Sequence, residues 1–139
     1  MAISPTLRDF IIERDKHQCT YCLTSEYNCG LRMHVDHIIA ESQDGPTIPD
    51  NLCAACFSCN VHKQDKDHGI DPLTGNLSAL FNPNHQRWAE HFSWDESKSQ
   101  IIGSTALGRA TVVTLHMNNP TVVRARKRWV SAGWHPPTE

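Results

Sequence analysis

The 139-residue sequence predicts a small α+β domain, and three observations carry that prediction. Ser4-Pro5 opens a helical pattern. A β-branched stretch, Arg32-Met-His-Val-Asp-His-Ile-Ile39, reads as a strand. Two C-x2-C pairs, Cys19-Thr-Tyr-Cys22 and Cys56-Phe-Ser-Cys59, bracket that strand and predict a metal staple around it. The length suits one domain over residues 1–139, with a core at about 14–67 and a C-terminal elaboration at about 84–135.

Each element has a local reason. Ser4 as N-cap and Pro5 at the first helical position start a helix over 5–16, with Leu7, Phe10, Ile11 and Arg14 at helical spacing. The first cysteine pair follows, then the strand 32–39. Residues 42–50 form a loop punctuated by Gly45, Pro46 and Pro49, and Asn51–Ala55 is a short extended piece. Beyond the second cysteine pair, Asn60–Asp67 is polar and predicted helical. Residues 69–83 carry Asp71-Pro72, Thr74-Gly75 and Asn82-Pro83 and read as an irregular connection. His91–Trp94 and Ser99–Gly103, joined by the charged turn Asp95–Lys98, predict a hairpin. Thr105 caps a helix running to about Met117. Pro120 starts a last helix, bearing Val122, Val123, Ala125 and Trp129, which Gly133 ends.

Composition narrows the function classes. Hydrophobic residues make up 39% and charged residues 20%, ordinary for a globular chain. The first residues lack a basic start and an apolar run, and no stretch nears the ~18 apolar residues of a membrane span. These features predict a cytoplasmic protein of bacterial or phage type, with no membrane partner and no small-molecule cofactor. In a reducing compartment six cysteines read as metal ligands rather than disulfides. The formal net charge of −2 does not itself mark a nucleic-acid binder, but four of the 13 Lys and Arg residues fall within Arg124–Arg128. Nine histidines suit metal or proton-transfer chemistry.

Two residues between paired cysteines make a tight turn whose sulfurs converge on one ion, and two such pairs complete a tetrahedron. Cys19, Cys22, Cys56 and Cys59 are therefore the candidate ligands of a structural Zn²⁺. Cys53-x2-Cys56-x2-Cys59 offers a competing second pair, and Cys29 is unassigned; both extra cysteines are expected as small packed side chains. His17 is expected at the surface. Residues 23–55 separate the pairs, more chain than a simple zinc ribbon needs, and they hold Asp36, His37 and Asn51.

Val35-Asp36-His37-Ile38-Ile39, then Asn51-Leu52, then Cys56-x2-Cys59-Asn60-x2-Lys63 resembles the HNH endonuclease family, in its zinc-stapled branch, which includes phage junction-resolving nucleases. The run Trp88–Phe92 through Gly103–Thr111 also resembles a tail on small bacterial HNH proteins. The resemblance implies a ββα-metal (His-Me finger) core. It implies His37 as general base, Asn51 as the asparagine that ties the loop to the His-bearing strand, and Asp36 with Asn60 as ligands of one catalytic ion. His62 is the rival to Asn60, two residues on and on a different helix face. An all-oxygen pair suits Mg²⁺ or Mn²⁺. The implied activity is metal-dependent hydrolysis of DNA, nicking or cutting with little sequence preference, leaving 5′ phosphate and 3′ hydroxyl ends.

The chemistry is coherent in its own right. Phosphodiester hydrolysis needs an activated water, which an imidazole can deprotonate near neutral pH, and charge neutralisation, which a divalent ion supplies. Neighbours on a regular strand face opposite sides, so Asp36 and His37 can address one phosphate only where the strand is distorted or ends. Lys63, Arg124 and Arg128 are candidate phosphate contacts, with Arg14 and Arg32 comparable; each could equally be a solvated charge. The expected partner is DNA in duplex form, with RNA left open. Two other readings stay open: a catalytically silent, zinc-dependent nucleic-acid-binding module, and a zinc domain for protein contacts.

Overall fold

The computed structural model describes residues 3–138; Met1 and Ala2, where the leader reading begins, lie outside them. The chain is a mixed α/β structure with small two-stranded sheets and a cluster of four cysteines. No helix among the described residues is long and apolar enough to cross a membrane.

Helix α1 spans Pro5–Arg14, and Ser4 Oγ accepts from the Leu7 amide as its N-cap. Ile11 and Ile12 are its buried residues, while Phe10 is exposed. There Arg14 donates to the carbonyls of Pro49 and Leu52, and Asp15 accepts from the Ala54 amide at 2.8 Å. Arg14 thus holds backbone.

A one-turn helix α2 at Glu26–Cys29, unforeseen in the sequence, is capped by Ser25 and closed by Gly30 at φ 74°. Strand β1 covers His34–His37 and pairs antiparallel with β2 at Leu52–Ala55, with Asp36 opposite Cys53 and His37 opposite Leu52. Helix α3 runs Phe57–Lys63 rather than from Asn60, because Cys56 takes the N-cap position. It stops where Gln64 turns to φ 53°.

Residues 69–83 are not wholly irregular. Strands β3 at His68–Ile70 and β4 at Leu77–Ala79 form a hairpin. The turn residues did signal the bend: Asp71 accepts from the Leu73 amide and the Thr74 hydroxyl, and Gly75 sits at φ 75°. The flanking strands are too short to show alternation.

The expected second hairpin is present as β5 at Phe92–Trp94 and β6 at Ile101–Gly103, entered from the one-turn helix α4 at Trp88–His91. Helix α5 spans Ala106–Thr114 behind the Thr105 cap, and α6 spans Pro120–Ala132, ending at Gly133 with φ 79°. A Cβ on Gly108 would lie 2.1 Å from the His91 carbonyl oxygen, and one on Gly103 would lie 2.3 Å from the Arg109 amide. These two glycines let α5 lie against the β5–β6 hairpin. One hydrophobic core joins both parts of the chain, from Ile12, Tyr21 and Ala54 to Phe81, Phe92 and Met117. Trp88 links them directly: its ring lies 5.2 Å from that of Phe92, and its Nε1 donates to the Tyr21 carbonyl at 2.8 Å.

Candidate active site and metal centre

Cys19, Cys22, Cys56 and Cys59 bring their sulfurs within 4.8 Å of one another, and Cys22 and Cys56 Sγ are 3.6 Å apart. Zinc–sulfur distances of about 2.3 Å give a tetrahedron with edges of about 3.8 Å, so the spacing fits one zinc ion. Both knuckles have the same turn: the Cys22 amide donates to Cys19 Sγ and the Cys59 amide to Cys56 Sγ, each at 3.4 Å. Leu23 at φ 65° and the Cys19 amide bonded to the Thr24 carbonyl shape the first; the start of α3 shapes the second. Burial pushes the Cys19 thiol well up and the neighbouring sulfurs push Cys59 up, whereas hydrogen bonds from the other three cysteines hold Cys22 well down. Four such thiols need a cation among them to ionise together.

Cys53 is not a ligand. It lies on β2 in the core, and burial pushes its thiol up to about 12. Cys29 is a partly buried thiol facing the Leu31 carbonyl, and all six cysteines are free of disulfides. His17 sits between Glu13 and Glu26, 2.9 Å from each, apart from the metal cluster.

Arg126, in the middle of the basic run, is fully buried. It donates to the Ser99 and Met117 carbonyls and to Asn118 Oδ1, with Nε left without a partner. Together with Cys22, Cys56 and Cys59 it lines a cavity of about 20 Å³. Burial pulls its guanidinium below the ordinary value, and the nearby cysteines pull it back up. The basic run is therefore split: Arg124, Lys127 and Arg128 are exposed, and Arg126 braces α6 against the cysteine cluster.

A second cleft, of about 270 Å³, is lined by Asp36, His37, Glu41, Asn60 and Asp65 among others. Strand β1 ends at His37, which is how two neighbouring residues come to line one cleft. The Asp36 carboxylate is anchored through Oδ2 alone: the Tyr21 hydroxyl donates to it at 2.9 Å and Lys63 Nζ lies at 3.1 Å. Among the described residues, Oδ1 has no hydrogen-bond partner. Burial raises the carboxyl above its ordinary range, opposed chiefly by the Lys63 ammonium. Lys63 is 1% exposed, and its ammonium also donates to the His37 carbonyl. It is a buried brace between α3 and β1. Asn60 lines the cleft, and among the described residues its side-chain amide has no hydrogen-bond partner. His62 turns away, its Nδ1 2.8 Å from the Ser58 carbonyl and its ring stacked at 4.1 Å on His116.

Asn51 fastens the loop to the end of β1. Its Oδ1 accepts from the Ile39 amide, and its Nδ2 donates to the Ile39 and Pro46 carbonyls, all at 2.9 Å. Pro46 precedes Thr47, whose hydroxyl lies 2.9 Å from His37 Nε2; Glu41 Oε1 is 3.7 Å from the same nitrogen. Thr47, Tyr21 and Glu41 were not singled out in the sequence. Their roles depend on loop closure and on cross-chain contacts that no local spacing signals.

The family model described as HNH endonuclease matches residues 19–66, the segment that contains both cysteine pairs, β1, β2 and α3. Neither the curated proteins nor the solved structures give a significant match to the chain.

Proposed function

With an HNH endonuclease segment at residues 19–66 as the premise, we propose that this chain is a divalent-metal-dependent DNA endonuclease whose ββα-metal core is β1, β2 and α3. The observation that carries the reading is the shared cleft of Asp36, His37 and Asn60. Their chemistry matches the task. With the Nε2 proton donated to Thr47 Oγ1, the Nδ1 lone pair of His37 is free to take a proton from an attacking water. Asn51, by holding the Pro46–Thr47 backbone, keeps that tautomer and ring orientation. Asp36 Oδ1 and the Asn60 amide oxygen would hold Mg²⁺ or Mn²⁺, a hard donor pair for a hard ion. When bound, that ion supplies charge neutralisation at the phosphate and at the departing 3′ oxygen. Lys63 and Tyr21 keep the Asp36 carboxylate in place from the opposite side.

The test is cleavage of a labelled DNA by zinc-loaded protein over a Mg²⁺ or Mn²⁺ titration. Asn60→Ala should shift the half-saturating metal concentration upward by about tenfold or more, and products should end in 5′ phosphate and 3′ hydroxyl. Cleavage that persists without added divalent ion while zinc stays bound, or an unshifted Asn60→Ala titration, contradicts the assignment.

A further inference from the structure

A groove of about 820 Å³ lies between α3 and α6, beside the catalytic cleft. Its cationic lining is Arg32, Arg124 and Arg128, and no acidic residue lines it, although the whole chain carries a net charge of −2. The catalytic cleft next to it has the opposite character, with Asp36, Glu41 and Asp65. Phe57 and Val61 from α3 and Val122 from α6 line the groove with apolar surface, and Phe57 is 59% exposed.

The two sites are both lined by α3. Asn60 lines the cleft while Phe57 and Val61 line the groove, and at helical spacing these three share one face of α3. A chain whose phosphate sits at His37 runs across that face into the groove. Arginines around an aromatic and aliphatic floor suit an unpaired strand, with phosphates at the cations and bases against the floor; a paired strand keeps its base faces stacked.

We propose that this groove binds a short unpaired nucleic-acid segment adjoining the cleaved phosphate, so that the preferred substrates are DNAs with a single-stranded stretch beside the scissile bond. The proposal rests on the nuclease reading for the position of the cleaved phosphate. Binding and cleavage are therefore measured separately.

The experiment is fluorescence anisotropy with zinc-loaded His37→Ala protein. It compares a labelled blunt DNA duplex with the same duplex carrying a short single-stranded flap. The flap should bind about tenfold tighter, from stacking of one or two bases. Phe57→Ala should remove most of that preference. Arg124→Ala with Arg128→Ala should weaken flap binding and lower the salt slope by about 1.4, two contacts on a single strand. Arg87→Ala, an exposed arginine away from the groove, is the charge control. Phe57, Arg87, Arg124 and Arg128 are all exposed, and zinc content verifies folding. Equal affinity for flap and duplex, or groove variants no weaker than Arg87→Ala, overturns the groove. If the groove variants behave as expected but His37→Ala cuts as well as wild type, the groove stands and the catalytic reading falls.

Discussion

Cys53 precedes Cys56 by the same three positions that separate Cys56 from Cys59, so spacing alone could not choose the second pair. Burial decides. Cys53 pairs across the sheet with Asp36 in the core, and its thiol is pushed up to about 12. Cys53→Ala should therefore retain one tightly held zinc per chain by metal analysis, and Cys56→Ser should lose it; the reverse result would reassign the ligands. His17 shows the same dependence on surroundings. Both its ring nitrogens lie 2.9 Å from carboxylates of Glu13 and Glu26, an arrangement that favours the doubly protonated, cationic ring. Those hydrogen bonds, Glu13 first, raise its pKa above the ordinary value near 6.5. A raised folded pKa means the stabilisation is fully present below the unfolded value and is lost as pH rises through the folded one. The difference in Tm between wild type and His17→Gln should accordingly shrink as pH rises through and beyond the ordinary imidazole range. A constant difference would mean that the ring acts by packing alone.

At the scale of elements, the run Gly103–Thr111 acts as a docking joint between α5 and two hairpins. Gly108 admits the His91 carbonyl, and Arg109 donates from Nε and Nη2 to Asp71 at 2.9 Å, holding the β3–β4 turn. Thr111 Oγ1 accepts from the Phe81 amide. Gly108→Ala should cost about 1–3 kcal/mol in a urea melt, since a backbone oxygen must move; an unchanged midpoint would show that α5 does not lie this close. Helix boundaries followed their caps, as at Ser4, Thr105 and Gly133, and these were legible because capping is local. The β3–β4 hairpin was not legible, because three-residue strands carry no alternation and the Asp71–Arg109 pair spans distant sequence.

Over the whole molecule, the cysteine spacing and the Asp36-His37 pair could be read directly, since each is a local pattern tied to a ligand or proton-transfer geometry. The fate of the cations could not. Lys63 and Arg14 read in the sequence as phosphate contacts or solvated charges and Arg126 only as part of the basic run, and all three are committed to partners contributed by other elements. Of the other cations weighed as nucleic-acid contacts, Arg32, Arg124 and Arg128 line one groove, and Asp36, Glu41 and Asp65 line the cleft where an ion would sit. In the proposed nuclease, His37, held by the Asn51–Thr47 loop within a zinc-stapled frame, takes the proton from water in DNA cleavage. The measurement that meets it most directly is the single-turnover rate on supercoiled plasmid with Mg²⁺ or Mn²⁺, wild type beside His37→Ala, both carrying zinc. The rate should fall by about 10²-fold or more in His37→Ala; a variant that cuts within twofold of wild type contradicts the account.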